Sequence, residues 1–274
     1  MIALELTCLG IVALYLGVKN RRGAEPPRAL LGRLAVVAAA AWITEETCIR
    51  LYGFYGYGSG WSVFVGSVPL LVVLIWPVVI DSARDLASRL TGPGPLRLAG
   101  ITAALVLADA ALIEPVSVHA GLWSWTAPGL FGVPPVGVLG WSFFTLACVG
   151  ILQVVEGRRW GLRGALLAIP GALALTHILL LAAWWGALRW VSVEVAPWPA
   201  VAGAGLLSLA LTLVALRAPG CRVPPKSVLL QRVPAAAFFF VLLVIHREGA
   251  GALVAWTLCF APPYLVLTAR ASSR

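Results

Sequence analysis

Along the chain, long apolar stretches alternate with short segments that hold almost all of the charge. The apolar stretches lie at about Ile2–Val18, Leu34–Leu51, Ser62–Ile80, Leu96–Glu114, Val136–Val155, Arg163–Leu188, Trp198–Leu216, Val233–His246 and Ala250–Leu267. A helix needs about 20 apolar residues to cross a hydrocarbon core about 30 Å thick. All but the eighth stretch meet that length; the eighth either tilts little, re-enters, or borrows residues from Ser227 onward, so the count is eight or nine. The pattern predicts an all-α fold: a polytopic membrane bundle of about eight or nine transmembrane helices, forming a single integral membrane domain over residues 1–274. The first stretch is followed by Lys19-Asn20-Arg21-Arg22 instead of being preceded by charge. That order reads as a retained helix and not as a cleaved signal peptide.

Composition supports the same class. Of the 274 residues, 61% are hydrophobic and 11% charged, against about 25% charged in soluble domains. The net charge of +9 raises the question of a nucleic-acid partner. The cations, however, sit in short loops and form no stripe or arm, so they report topology and no nucleic-acid partner is expected. On a nine-span reading, alternate loops carry Lys19, Arg21, Arg22, Arg28 and Arg33; Arg84, Arg89 and Arg97; Arg158, Arg159 and Arg163; Arg217, Arg222, Lys226 and Arg232; and Arg270 and Arg274. The opposite side keeps Arg50, Arg189 and Arg247. The crowded side is then cytoplasmic and the N-terminus non-cytoplasmic. The expected setting is a lipid bilayer, a bacterial plasma membrane. The sequence carries no signature of an oligomeric state.

Chemistry concentrates toward the side opposite the basic loops. Tyr52-Gly53-Phe54-Tyr55-Gly56-Tyr57-Gly58-Ser59-Gly60-Trp61 is nearly all aromatic or glycine, and the segment from Pro115 to Pro135 holds Trp123, Trp125 and Phe131 among further Gly and Pro. An interfacial belt accounts for some of these rings. Two Gly-rich aromatic loops on one face read further, as a lid over a pocket, because non-helical backbone near membrane depth lines a cavity or is buried in protein. Beneath them, Glu45 and Glu46 in the second stretch and Asp109 and Glu114 in the fourth are acids at matching depth. Acids within spans are functional by default, although Glu46 and Arg50 are spaced to neutralise each other. Helical neighbours point about 100° apart, so one of Glu45 and Glu46 faces the pocket. The residue pattern has Glu114 closing its helix before Pro115. His119 follows in the loop, and His177 lies mid-span in the sixth stretch. The three histidines (the third is His246) are far apart and the five cysteines scattered, so no metal site is expected.

An apolar, aromatic pocket with buried acids suits protonation of an electron-rich double bond. Burial disfavours the charged form of a carboxyl, which then keeps a proton to donate. Protonating a trisubstituted alkene gives a tertiary cation that aromatic faces stabilise. Trapping by water, ring closure and loss of a proton remain open outcomes.

Two segments resemble the carotenoid-biosynthesis membrane family typified by bacterioruberin-pathway carotenoid hydratases. The first is Glu46, then Gly53-Phe54 and the aromatic-glycine loop, Gly66-Ser67-Val68-Pro69-Leu70 and Trp76. The second is Glu114-Pro115-Val116, Gly121-Leu122-Trp123-Ser124-Trp125, Phe131-Gly132-Val133-Pro134 and Gly140-Trp141. Gly137 stands where the family tends to have asparagine. The resemblance implies a lipophilic isoprenoid substrate and a carotenoid or terpenoid hydratase (lyase) or cyclase (isomerase) working by acid catalysis. With the acids found above, the expected proton donor is Glu46 or Glu114, with Asp109 and His119 setting its protonation or placing water. Tyr52, Phe54, Tyr57, Trp61, Trp123, Trp125, Trp141 and His177 would shape the pocket. No cofactor is expected, because hydration and ring closure are redox-neutral. Alternatives stay open. One is a membrane terpene cyclase on a shorter prenyl chain. Glu45-Glu46-Thr47-Cys48-Ile49-Arg50 also fits the Glu-Glu-x-x-x-Arg motif of CAAX-type intramembrane proteases. A non-enzymatic transporter or carotenoid-binding scaffold is the remaining one.

Overall fold

The computed structural model describes residues 1–23, 25–91, 94–217 and 224–272, and these form a helical membrane bundle. Cys221, Arg222 and Arg274 lie outside the described residues. The helices are α1 (Ile2–Arg22), α2 (Pro27–Tyr52), α3 (Leu70–Leu90), α4 (Pro95–His119), α5 (Pro135–Gly157), α6 (Gly161–Ala165), α7 (Ala168–Ala183), α8 (Arg189–Val191), α9 (Pro197–Arg217), α10 (Lys226–Leu230), α11 (Val233–Ile245), α12 (Gly251–Leu258) and α13 (Ala261–Ser272). A π-helical turn, Trp184–Leu188, joins α7 to α8. Short strands β1 (Tyr55–Tyr57), β2 (Phe64–Val65), β3 (Val68–Pro69) and β4 (Trp123–Trp125) gather at one end. That end is called the lid end here and the other the basic end.

Seven stretches are long and apolar enough to cross a membrane: α1, α4, α5, α9, and the continuous runs Gly161–Val191, Lys226–Ile245 and Gly251–Arg270. Helices α2 and α3, of 26 and 21 residues, have spanning length but more charge. Together they give nine segments of spanning length among the described residues, and the chain is an integral membrane protein. Proline opens several of them: Pro27, Pro95 and Pro135 sit in the first turn, where the missing N–H has no intrahelical partner to lose.

The bundle is centred on α2, α4, α5 and α7, which pack through small side chains. Ala40, Ala99, Ala147, Cys148, Ala168 and Ala172 are essentially inaccessible there. Small residues let backbones approach closely, which drives helix association in lipid where burial from water cannot. By contrast α9 turns Leu206, Leu207 and Leu209 outward, as expected of a lipid-facing helix.

Polar contacts bind the elements where charge enters the spans. At the basic end Asp81 on α3 is 3% exposed; it accepts Tyr15 Oη at 2.6 Å and pairs with Lys19 and Arg33, tying α1 and α2 to α3. Asp109 on α4 pairs with Arg232, which precedes α11 and also donates to Tyr264 Oη and Ser82 Oγ.

Three sequence expectations change. The third span runs Leu70–Leu90 instead of Ser62–Ile80, because residues 62–69 form an extended segment and the β2–β3 hairpin. Helix α4 does not close at Glu114 but continues through Pro115 to His119. Proline there leaves the Ala111 carbonyl without its intrahelical donor, and the Trp256 indole N–H fills the vacancy at 2.8 Å. Arg232 belongs to the Lys226–Ile245 span and not to a loop. Its charge is tolerated because Asp109 meets it.

Removing one partner of a buried pair leaves the other charge uncompensated, which costs about 3 kcal/mol or more. Arg232→Met should therefore lower the thermal unfolding midpoint of the detergent-solubilised protein markedly. The double variant Asp109→Leu/Arg232→Met should recover most of the loss.

Candidate active site

At the lid end the two aromatic loops are one structure. Gly53, in the left-handed conformation at φ 59°, ends α2 and turns the chain into β1. Strand β1 pairs antiparallel with β4, Tyr55 opposite Trp125 and Tyr57 opposite Trp123. Side chains alternate across a strand, so these four rings share one face while Gly56 and Ser124 take the other. Backbone bonds Gly58 N–H to Leu122 O and Thr126 N–H to Phe54 O, both 2.9 Å, close the two edges of this lid.

Beneath it lies a cavity of about 150 Å³, apolar over most of its lining. Two acids reach it, Glu45 from α2 and Glu114 from α4, 9% and 2% exposed. Neither has a cationic partner among the described residues. Each is instead held by three neutral donors. Glu114 Oε2 accepts the indole N–H groups of Trp123 at 2.8 Å and Trp125 at 2.9 Å, and Oε1 accepts that of Trp141 at 2.7 Å. Glu45 Oε2 accepts Tyr55 Oη at 2.8 Å and Tyr57 Oη, and Oε1 accepts Trp76 Nε1 at 2.6 Å. Burial, with the Glu45 carboxyl adjacent, pushes the Tyr55 and Tyr57 phenols well above the usual tyrosine value, so they remain neutral donors.

The two donor sets interlock. Tyr55 lies 4.7 Å from Trp125 and Tyr57 5.7 Å from Trp123, ring centre to ring centre. The Trp76 and Trp141 rings, one on each Oε1, lie 4.3 Å apart. Each Oε2 carries two hydrogen bonds and each Oε1 one, so each Oε1 retains a lone pair for a proton.

Three hydroxyls complete the wall. Thr44, Ser117 and Thr176 are 5%, 0% and 1% exposed, all line the cavity, and their hydroxyl oxygens have no partner among the described residues. Sequence reasoning passed over them, as it passed over Tyr55 and treated Trp76 only as part of a motif. A Thr or Ser in a span is unremarkable until its neighbours are known.

Of the residues singled out from the sequence, Glu45, Glu114, Phe54, Tyr57, Trp61, Trp123, Trp125 and Trp141 line the cavity. Five do not. Glu46 points the other way, pairing with Arg50 and accepting Ser67 N–H at 2.6 Å. It thereby braces the turn of the β2–β3 hairpin, where Gly66 at φ 68° leaves no room for a Cβ beside the carboxylate. Asp109 is taken up by Arg232. His119 lies at the exposed end of α4, bonded to the His246 carbonyl at 2.7 Å. His177 sits between Thr47 Oγ1 and Tyr52 Oη, each 2.7 Å away, in a cluster outside the cavity. No histidine accompanies Glu45 at the cavity, and no group of metal-binding side chains forms among the described residues.

The family model described as "Carotenoid biosynthesis protein" matches residues 3–211, well over half of the chain. No curated protein and no solved structure matches it.

The lid depends on empty space at position 137. A Cβ there would lie 2.7 Å from Trp125 Cζ2. Gly137→Val should push Trp125 off Glu114 and cost about 1–3 kcal/mol through overpacking. Loss of near-ultraviolet circular dichroism together with a lowered unfolding midpoint would report it; an unchanged spectrum would contradict this packing.

Proposed function

The chain belongs to the carotenoid biosynthesis protein family and its role lies in the carotenoid pathway; on that premise we propose that it hydrates an end-group double bond of a long isoprenoid by acid catalysis. The observation that carries this reading is the pair Glu45 and Glu114, two buried acids without cations on one aromatic cavity. In an apolar surround a carboxyl without a counter-ion is held more cheaply as the neutral acid than as the charge.

Glu114 is the proton donor. Its three partners are indoles, which donate and never accept a proton, so the transferable proton on Oε1 has no competing base among them. The proton adds to the less substituted alkene carbon and the positive charge develops on the tertiary one. The rings of Trp123, Trp125, Trp141, Trp76 and Tyr57 surround that charge, and a desolvated cation over an aromatic face gains about 2 kcal/mol or more. Water held by the Thr44, Ser117 and Thr176 hydroxyls forms the new C–O bond. The proton that this water sheds reaches the Glu114 carboxylate left by the first transfer, relayed by the neutral Glu45, which accepts it on one oxygen as it releases its own from the other, and the site is reset. Alkene plus water gives a tertiary alcohol, with no redox change.

The unpartnered hydroxyls favour hydration over ring closure. Leaving a buried hydroxyl unpaired is costly, and such groups call for a water or a ligand. A cavity of about 150 Å³ matches the size at which an apolar cavity takes up benzene. That volume fits the end of an isoprenoid chain and excludes the whole molecule.

The test is mass spectrometry of lipid extracts from a bacterial host making lycopene or shorter polyprenyl chains, with and without the protein. A product heavier by one water is expected. Glu114→Gln and Glu45→Gln should each lower its yield by about a hundredfold or more, while Glu46→Gln keeps substantial activity. Replacing Thr44, Ser117 and Thr176 by Val, Ala and Val should shift product toward isomers of unchanged mass. Isomers alone from the unaltered protein would mean ring closure or isomerisation. Full activity in Glu114→Gln would end the acid assignment, and bound but unchanged carotenoid would indicate a scaffold.

A further inference from the structure

The acid cavity is too small for a long isoprenoid, so the rest of the chain needs a path. One helix face marks it. Leu4, Cys8 and Ile11 on α1 line the acid cavity, and Ile11, Val18 and Arg22 line a second cavity of about 260 Å³ nearer the basic end. These positions recur at the helical period, so they form a single stripe. The facing wall behaves alike: Pro234 lines the second cavity and Ala235, the next residue, lines the first. Both walls therefore pass without interruption from one cavity to the other, and Ile11 is the residue common to the two.

We infer that the groove between α1 and the α10–α11 segment is a substrate channel for a linear polyene, partitioned by the Ile11 side chain, which sets the length of chain accepted. The inference rests on the reading that an isoprenoid end group occupies the acid cavity. From Leu4 to Arg22 the stripe is about 27 Å long at 1.5 Å per residue, close to the hydrocarbon thickness of a bilayer, about 30 Å. A chain lying in it stays parallel to the helices with its reactive end at Glu114. The far end reaches a different environment. Arg22 and Gln231 line the second cavity, and Arg22 Nη2 and both polar side-chain atoms of Gln231 are buried and have no partner among the described residues. Those groups suit a far end that already bears a hydroxyl, which can accept from Arg22 and exchange hydrogen bonds with Gln231. A chain modified at one end could then be turned and modified at the other.

Binding tests the channel independently of turnover. Tryptophans line the acid cavity, and a bound polyene quenches their fluorescence. The purified full-length protein in lipid nanodiscs is titrated with linear polyenes of increasing length, with and without a terminal hydroxyl. Affinity is expected to rise with length until the groove is filled. Ile11→Phe should weaken long chains about tenfold, the scale of a small steric change in an apolar pocket, and leave the shortest bound chain unaffected. Ile11→Ala, which removes atoms instead of adding them, should not weaken long chains. Gln231→Leu should lower affinity for hydroxylated chains only. Length-independent binding in the unaltered protein, or equal losses for short and long chains in Ile11→Phe, would overturn the channel. Length-dependent binding with no chemical change in any chain would leave the channel standing and refute the hydratase reading instead.

Discussion

A carboxyl group buried in a lipid-facing bundle without a cation needs hydrogen-bond donors, and most of the lid end is arranged to supply them. Charges in a span are tolerated when they are paired or face a cavity. Glu45 and Glu114 take the second course. Their six donors, Tyr55, Tyr57 and Trp76 on one and Trp123, Trp125 and Trp141 on the other, are all neutral side chains. Four of the six arrive on β1 and β4, whose register puts them on one face. The aromatic richness of the two loops thus has a local cause beyond interfacial anchoring: the rings are the hydrogen-bonding shell of the acids.

Three other acids within the spans show the contrast. Asp81, Asp109 and Glu46 each meet an arginine, and Asp81 a lysine as well. The Asp81 and Asp109 pairs hold helices together, and in all three the carboxylate is committed to its counter-ion and has little left to offer a substrate. Neutral donors satisfy a carboxyl without fixing it in the charged state. Six of them allow either acid to gain or lose a proton while its position is held, which is what proton transfer at a rigid site requires. The same logic separates two adjacent residues on α2: Glu46 braces a hairpin, and Glu45 faces the cavity.

Much of this was legible in the sequence, and the failures have specific causes. Span number, the paired aromatic loops and Glu114 follow from hydropathy and local clustering, which are properties of short windows. The choice between Glu45 and Glu46 was left open by a helical wheel, since each lies near a polar feature and the deciding contacts, Trp76 and Ser67, come from other segments. Asp109 looked like part of the site because depth along a helix was visible and azimuth was not. Its partner Arg232 lies 123 residues away, among charges that local sequence groups with a loop. Pro115 looks like a helix end in the sequence because the donor that compensates for it, the Trp256 indole, lies far along the chain. The cavity hydroxyls had no signal at all, since a lone Thr or Ser in a span serves equally well to bond its own backbone.

The division of the chain is consistent with separate carriers for chemistry and for substrate length. Both acids, their six donors and the three hydroxyls all fall within residues 3–211, the stretch that matches the family. The wall opposite α1, with Pro234, Ala235, Phe238 and Phe239, lies beyond it. Changes in that wall alter the room beside Ile11 without touching Glu45, Glu114 or their donors. The acid site needs fixed geometry, because proton transfer and cation stabilisation fall off steeply with misplacement. The groove needs only apolar surface of suitable width, and apolar contact is non-directional. On the proposed reading, selectivity for chain length can therefore vary in the α10–α11 segment while the proposed alkene chemistry at Glu114 stays the same.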